Sequence, residues 1–454
     1  MLIGLPLVGA SCASEPEGLT TAQAKASVRE TLIVAPQNTV SSQSEATPSS
    51  TGDPAKGLTY QRHDGNRLIA GRGQLPNIEP LDLALSGQPL WLVAAPSGAG
   101  SIWVAIQDDG RAEAFHVTGA IVEPIAIEPP KLPPESPPML LVADGLPSLL
   151  TVQDLEASTL THAVRMSSHA GSLAYITVRG DLVIKDDADV NRLPVNAMPD
   201  ARLLTDEFGR LLLLTDPTTR YGHGVLGDGT EAGSATLVET APSPRVSLKL
   251  ELDSEKVVEG IAPIWADLDG DGAREIIVTE SDAERGARIV VYDEQGKRMA
   301  AGPAIGAGYR WSHQLAVAPF GPGGELELAA VRTPHIGGVV EFYQMRGDKL
   351  EIVVRVPGYS SHTLGSRNLD RAIAGDLDGD GHFELLVPDQ AQEFLGAIRH
   401  TQDGAETAWR IPIGAKLSTN LAAVTLPNGD IALGAGREDN TLRLWLPVAD
   451  RSAD

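Results

Sequence analysis

From about residue 60 to its end the chain alternates short apolar runs with polar punctuation. "PLWLVAAP", "SIWVAIQDDGRAEAFHV", "PMLLVADG", "SLLTVQD", "SLAYITV", "GDLVIKD" and "RLLLLTD" are each bounded by Gly, Asp, Ser or Pro. Short Val/Leu/Ile-rich runs between turn residues are the pattern of strands, and no helical spacing persists beyond about ten residues. The pattern predicts an all-β chain of mainly antiparallel strands. The 47 glycines and 32 prolines fit a chain that turns often.

The second half repeats. "ADLDGDGAREIIV", "APFGPGGELELAAV", "GDLDGDGHFELLV" and "VTLPNGDIALGAG" align as strand, tight loop, strand, and a hairpin with two more strands follows each. Glu275, Glu327 and Glu384 fall at matching places. The period is roughly fifty-odd residues, in the range of four-stranded propeller blades. Upstream, "QPLWLVAAPSGAGSIWVAIQDDGRAEAF", "PPMLLVADGLPSLLTVQD" and "DARLLTDEFGRLLLLTD" read as three further units. Three and four predict a seven-bladed β-propeller of four-stranded antiparallel blades, with six or eight as alternatives. An open array of sheets leaves unpaired edges. The stretch near 57–70 is therefore expected to close the ring against the last blade. The cluster "EPIAIEPPKLPPESPP" reads as an inter-blade loop, since proline cannot sit in a central strand.

Composition narrows the function classes. Apolar residues make up 42% of the chain but aromatics only 4%, so the core must be Val, Leu, Ile and Ala. The net charge of −24 excludes nucleic acid and anionic membrane surfaces as electrostatic partners. One cysteine, Cys12, allows no internal disulfide. It follows "MLIGLPLVGAS", which resembles the end of a bacterial lipoprotein signal, with Cys12 as the acylated residue. Two features depart from that pattern: no Lys or Arg precedes the apolar run, and Gly9 stands where Leu is usual. Residues 13–56 are rich in Ser, Thr and Pro and lack an apolar pattern, as in "VSSQSEATPSSTGDP", so they cannot repay the entropy of ordering. The expected organisation is a signal segment over 1–12, a stalk over 13–56 and a propeller over 57–450. Membrane attachment would be by lipid alone, in the cell envelope facing periplasm or exterior; the alternative is secretion.

Two loops carry distinctive chemistry. In "DLDGDGARE", Asp267, Asp269 and Asp271 occupy positions 1, 3 and 5, the carbonyl of Ala273 position 7 and Glu275 position 9. Gly270 and Gly272 permit the tight curl. Asp376, Asp378, Asp380, the carbonyl of His382 and Glu384 repeat the pattern in "DLDGDGHFE". An all-oxygen, multiply charged donor set suits Ca²⁺, and without a cation these carboxylates repel one another. A helix–loop–helix site needs Glu at position 12, where this chain has Val278 and Val387 in strand-like runs. The expectation is two structural Ca²⁺ sites in strand-to-strand loops.

DxDxDG followed by an acid and an apolar strand, repeated at blade spacing, resembles the FG-GAP or VCBS repeat of integrin-α-like β-propellers. The match is specific at 267–275 and 376–384 and degenerate at "PFGPGGELEL" and "LPNGDIAL". The resemblance implies that Ca²⁺ braces the loop between strands of a blade, with binding or chemistry elsewhere.

Histidines follow aromatics in "RYGHG", "RWSHQ" and "GYSSH", with "TPHIGG" nearby. His223, His313, His335 and His362, with Arg310, could line one end of a central channel and hold an anionic ligand or a transition metal; Arg220 and Arg367 lie close in sequence. The plainer reading has them satisfying loop carbonyls at the mouth. "RGD" at 346–348 reads as a hairpin turn. GxSxG, CxxC and HExxH motifs do not occur. The sequence favours a non-catalytic role, recognition of a protein or cell-envelope ligand through one loop face. A Ca²⁺-dependent propeller enzyme acting on polysaccharide and an envelope scaffold are the alternatives. Convergence of three or more of the histidines on one pocket with buried carboxylates would favour catalysis, and scatter would favour binding.

Overall fold

The computed structural model describes residues 54–133, 135–166 and 171–448. Cys12 and the stretches expected to be a signal segment and a stalk, up to residue 53, lie outside the described residues. The described chain is a β-propeller built from antiparallel meanders. Blade 1 comprises Pro89–Ser97, Gly100–Gln107, Ala112–Thr118 and Ile121–Ile125. Blade 2 is the hairpin Leu140–Ala143 and Leu146–Leu149, completed by Ala55–Gly57. Blade 3 runs from Val164–Arg165 to Val190–Leu193, and blade 4 from Leu204–Thr205 to Arg245–Glu251. Blade 5 opens at Ile264–Ala266, blade 6 at Ser312–Ala318, blade 7 at Ile373–Asp376 and blade 8 at Leu417–Thr425.

Among the described residues the meanders therefore number eight, against the expected seven. The unit missed in the sequence is blade 3. Its strands "LAYI" and "LVIK" are short, and its outer strand Val190–Leu193 is largely exposed, so no repeat signature marks it.

Ring closure also differs from expectation. The outer strand of blade 8 is Leu81–Ala84, paired antiparallel with Thr441–Trp445. The earlier stretch near 57–70 runs instead through the middle of the ring. Tyr60 Oη donates to the Leu203 carbonyl, and Gln61 Nε2 to the Ala423 carbonyl. Thr205 N donates to the His63 carbonyl and Trp265 N to the Asp64 carbonyl. Asn66 mimics a strand: Nδ2 donates to Val317 O at 2.8 Å and Oδ1 accepts Val317 N at 3.0 Å. Arg67 reaches Asp370 and the carbonyls of Gln314 and Leu315, and its own carbonyl accepts Ala374 N. Leu68–Arg72 then pairs parallel with the first strand of blade 7. This segment satisfies inner-strand backbone groups of blades 4 to 8 from the axis. A polar segment suits that place better than an apolar one, because inner-strand edges carry unpaired N–H and C=O groups.

The core lies between blades. Leu92, Trp103 and Ala105 of blade 1 pack on Ala432 and Leu444 of blade 8. Ile277 and Val291 of blade 5 pack on Leu328 and Tyr343 of blade 6. Inner strands such as Glu275–Ser281 are buried throughout, whereas the outer strand Gly404–Pro412 is mostly half-exposed. This explains the continuous apolar runs, since a strand covered on both faces needs no polar alternation. The proline cluster splits: Pro124 lies in the outer edge strand of blade 1, and the residues after Ile125 form the crossing to blade 2.

Candidate functional site

The meander fixes which loops share a face. All first strands run the same way, so the loops joining first to second strands lie at the exit face. Loops joining second to third strands, and crossings to the next blade, lie at the entry face. Both acidic loops are first-to-second connections: Ala266 pairs with Glu275 and Gly375 with Glu384. The segments bearing His223, His313, His335 and His362 belong to the entry face.

The two acidic loops match bond for bond. Asp267 accepts Gly270 N (2.7 Å) and Gly272 N (3.0 Å), and Asp376 accepts Gly379 N (2.8 Å) and Gly381 N (3.2 Å). Asp269 accepts Asp271 N and Asp271 accepts Ala273 N; Asp378 and Asp380 do the same for Asp380 N and His382 N. The glycines take the left-handed conformation, with φ of 79° and 90° at Gly270 and Gly272. One carboxylate oxygen from each of Asp267, Asp269 and Asp271 lies within 4.8 Å of the others, and the same holds for Asp376, Asp378 and Asp380. These oxygens are the hard donors that Ca²⁺ takes. The glutamates sit lower. Glu275 Oε2 accepts Leu268 N at 2.7 Å, and Glu384 Oε2 accepts Leu377 N at 3.1 Å. Burial pushes both up to about 7. Each glutamate therefore ties the start of its loop to the strand beneath. Ala273 and His382 are exposed on the loops.

The loops differ in one respect that spacing does not reveal. Arg399 reaches over the second loop: Nη1 to Asp380 Oδ2 (2.8 Å), Nη2 to Asp378 Oδ2 (2.9 Å) and Nε to Glu384 Oε1 (2.9 Å). Arg72 adds a longer contact to Asp376 at 4.0 Å. By strand register Arg399 stands opposite Glu384, and the matching place in blade 5 is Asp293. Among the described residues no basic side chain forms a salt bridge with Asp267, Asp269, Asp271 or Glu275. The third matched glutamate, Glu327, instead meets His400 Nδ1 at 3.0 Å.

At the entry face the histidines converge. Trp311 stacks on His313 (4.5 Å between centroids) and meets His362 edge-on at 5.4 Å. His362 Nε2 donates to the Ser366 carbonyl at 2.6 Å, so its Nδ1 accepts the Nε2 proton of His335 at 2.9 Å. His313 Nδ1 pairs with Ser361 Oγ at 2.9 Å. His223 Nδ1 bonds Glu259, which also accepts Ser281 Oγ. Tyr309, about half exposed, leans on His223 at 5.8 Å. Burial pushes His362 down to about 3, lowers His335 and lowers His313 well below its usual value, so all three stay neutral near pH 7. Burial raises Glu259, with His223 opposing. Burial and then Glu259 raise Glu231 to about 9.

The loops of this face are stitched together. Gly365 N donates to the Val225 carbonyl at 2.9 Å, Arg367 pairs with Asp200 and Asp228, and Asn368 Nδ2 donates to Leu90 O at 3.0 Å. Arg310 is exposed, and Arg220 donates to the Lys256 carbonyl. A cavity of about 190 Å³ opens beside Ser366, lined by Trp91, Leu160 and Asn368 among others. Glu259, the carboxylate that orients His223, was not singled out in the sequence; its only signal is an acid between "KVV" and "GIAPIW". The "RGD" turn joins the third and fourth strands of blade 6, and Arg346 pairs there with Gln344 and Glu351.

No family model and no curated protein matches the chain. Among solved structures, a europium-containing methanol dehydrogenase aligns at a TM-score of 0.50 and 8% identity, over 84% of this chain and 90% of that one. The WD40 domain of Toxoplasma gondii coronin aligns at 0.40 and 10% identity, over 84% and 90%. The first is a β-propeller, and at that identity the likeness supports the fold alone.

Proposed function

We propose that this chain is a Ca²⁺-braced, FG-GAP/VCBS-like propeller that recognises a protein or cell-envelope ligand on its entry face. The observation carrying this reading is the division of labour between the faces: the cation-type donors gather at one end and the oriented imidazoles at the other. Asp267, Asp269 and Asp271, and Asp376, Asp378 and Asp380, would hold the two ions. When bound, Ca²⁺ would neutralise the crowded carboxylates and fix each loop. Tyr309, Ile336 and Leu364 are exposed around the imidazoles and supply apolar contact area. The lipoprotein-like segment ending at Cys12 supports a tether to the bacterial envelope.

Catalysis is the second reading. The convergence of His313, His335 and His362, with His223 on the buried Glu259, favours it. The cavity beside Ser366, at about 190 Å³, is smaller than the few hundred Å³ that usually enclose a substrate, which keeps recognition first.

The test is binding of the full chain to isolated envelope fractions, compared between wild type and Tyr309→Ala with Ile336→Ala. Loss of binding with an unchanged melting temperature supports the reading. Equal binding by both proteins sinks it.

A further inference from the structure

We infer that the cavity beside Ser366 receives one neutral, hydroxyl-rich ring, a hexose unit of a glycan. The assignment rests on reading the entry face as the recognition face, and it names the ligand class that face takes. The first strand of blade 1, the 365–368 loop and the first strand of blade 8 meet at this cavity of about 190 Å³. They are tied to one another. Asn368 Nδ2 donates to the Leu90 carbonyl at 3.0 Å, and Ser418 Oγ to the Pro89 carbonyl at 2.7 Å. Arg202 joins Trp91 to the loop: its guanidinium lies 5.7 Å from the Trp91 ring centre, while its Nη2 donates to the Arg367 carbonyl at 3.3 Å. One side chain therefore holds Trp91 and Arg367 beside each other, and the walls are preformed.

The lining has hydrogen-bonding capacity to spare. Trp91 is only 4% exposed, and its indole N–H meets no partner among the described residues, so the cavity it lines is where that donor can be satisfied. Arg367 commits Nε to Asp200 and Nη2 to Asp228, which leaves Nη1. Ser366 Oγ accepts Asn368 N at 3.0 Å and keeps its own proton to give. Ser418 Oγ gives its proton to Pro89 and keeps a lone pair to accept. A hydroxyl both donates and accepts, so a ring bearing several can meet all four groups. Leu90 and Leu160 supply apolar wall for its C–H faces. A carboxylate or phosphate fits worse. Among the described residues Arg367 is the one cation lining the cavity, and it stands between two aspartates, with Glu135 in the same lining. Arg202 is offset by Asp370 and Asp200. The volume admits a single ring, so the rest of a glycan would lie outside the cavity.

The experiment is titration of the full chain, its tryptophans labelled with nitrogen-15, with glucose, galactose, mannose and N-acetylglucosamine. At least one of these sugars should bind in the millimolar range and move an indole resonance. That resonance should be missing in Trp91→Phe, which should bind about 3–10-fold more weakly. Leu160→Trp, which fills the cavity, should lose binding. Equal binding by Leu160→Trp overturns the assignment, as does tighter binding of glucuronic or galacturonic acid than of the neutral sugars. Should either variant fail to fold, the wild-type titration still decides, because no indole shift with any of the four sugars overturns the assignment. Envelope binding untouched by saturating sugar and by Leu160→Trp, yet lost in Tyr309→Ala with Ile336→Ala, would remove the glycan ring and leave the recognition reading standing. Sugar binding by a chain that binds no envelope fraction would keep the cavity assignment and remove that reading.

Discussion

Neutralising one aspartate in each acidic loop should have unequal consequences in calcium-free protein. Asp271→Asn keeps the Oδ1 that accepts Ala273 N at 2.8 Å, so the turn survives. It removes two carboxylate pairs whose oxygens lie within 4.8 Å, each worth about 1 kcal/mol of repulsion at a water-like dielectric. Among the described residues no salt bridge offsets that repulsion, so Asp271→Asn should stabilise the calcium-free protein by about 1–2 kcal/mol. Asp380→Asn removes the same kind of repulsion but also the 2.8 Å ion pair with Arg399, and sets an amide against a guanidinium donor. A charge pair at that distance is worth about 1.5 kcal/mol even in water, so loss and gain nearly cancel and the net effect is zero or destabilising. The assay is thermal unfolding by circular dichroism in excess chelator and again in millimolar Ca²⁺. The melting temperature should rise in chelator for Asp271→Asn alone, and both variants should lose part of the Ca²⁺-induced rise. A drop for Asp271→Asn in chelator, or equal rises for both, would refute the claim that Arg399 makes the loops unequal.

Other outcomes follow from the same structure. Asn66→Ala leaves Val317 N and O without their axial partners, at about 1–3 kcal/mol for each buried group, and urea unfolding should detect a loss of that order; a loss under about 0.5 kcal/mol would mean the segment does not hold the ring. Glu231 has its pKa raised to about 9, so its contribution is present below the usual carboxylate range and is lost as pH climbs towards 9. Glu231→Gln should therefore melt with wild type near pH 5 and increasingly above it towards pH 9; a constant gap would contradict the assignment. Arg399→Gln should tighten Ca²⁺ binding at the second loop by calorimetry, because the guanidinium competes for the same carboxylates, and weaker binding would show that Arg399 supports the site. Cys12→Ser should move the chain from membrane to soluble fractions, and unchanged fractionation would rule out a lipid tether.

Much of the architecture was legible because blade geometry imposes its own periodicity. The position of the acidic loops between first and second strands was readable, because each is followed by an apolar strand-like run. Arg399 was not readable from spacing, because it lies 15 positions from Glu384 and becomes its neighbour only through strand register. The histidines were recognised as candidates, yet their meeting depends on loops from blades 4, 6 and 7 folding over one mouth. The axial segment "LTYQRHDGNRL" was misplaced for a physical reason. Its hydrogen bonds go to the inner edges of five separate blades rather than to one neighbouring strand, and no local pattern encodes that. Blade 3 escaped because its strands are short and bounded by charged turns.

Scanning calorimetry of the full chain against Ca²⁺ concentration tests the bracing claim most directly. Ligand binding to the folded state alone adds about 2.7 kcal/mol at a hundredfold excess over Kd, so the melting temperature should climb with Ca²⁺ and stay flat in the Asp269→Asn, Asp378→Asn double variant. A wild-type melting temperature indifferent to Ca²⁺ and to chelator would contradict it.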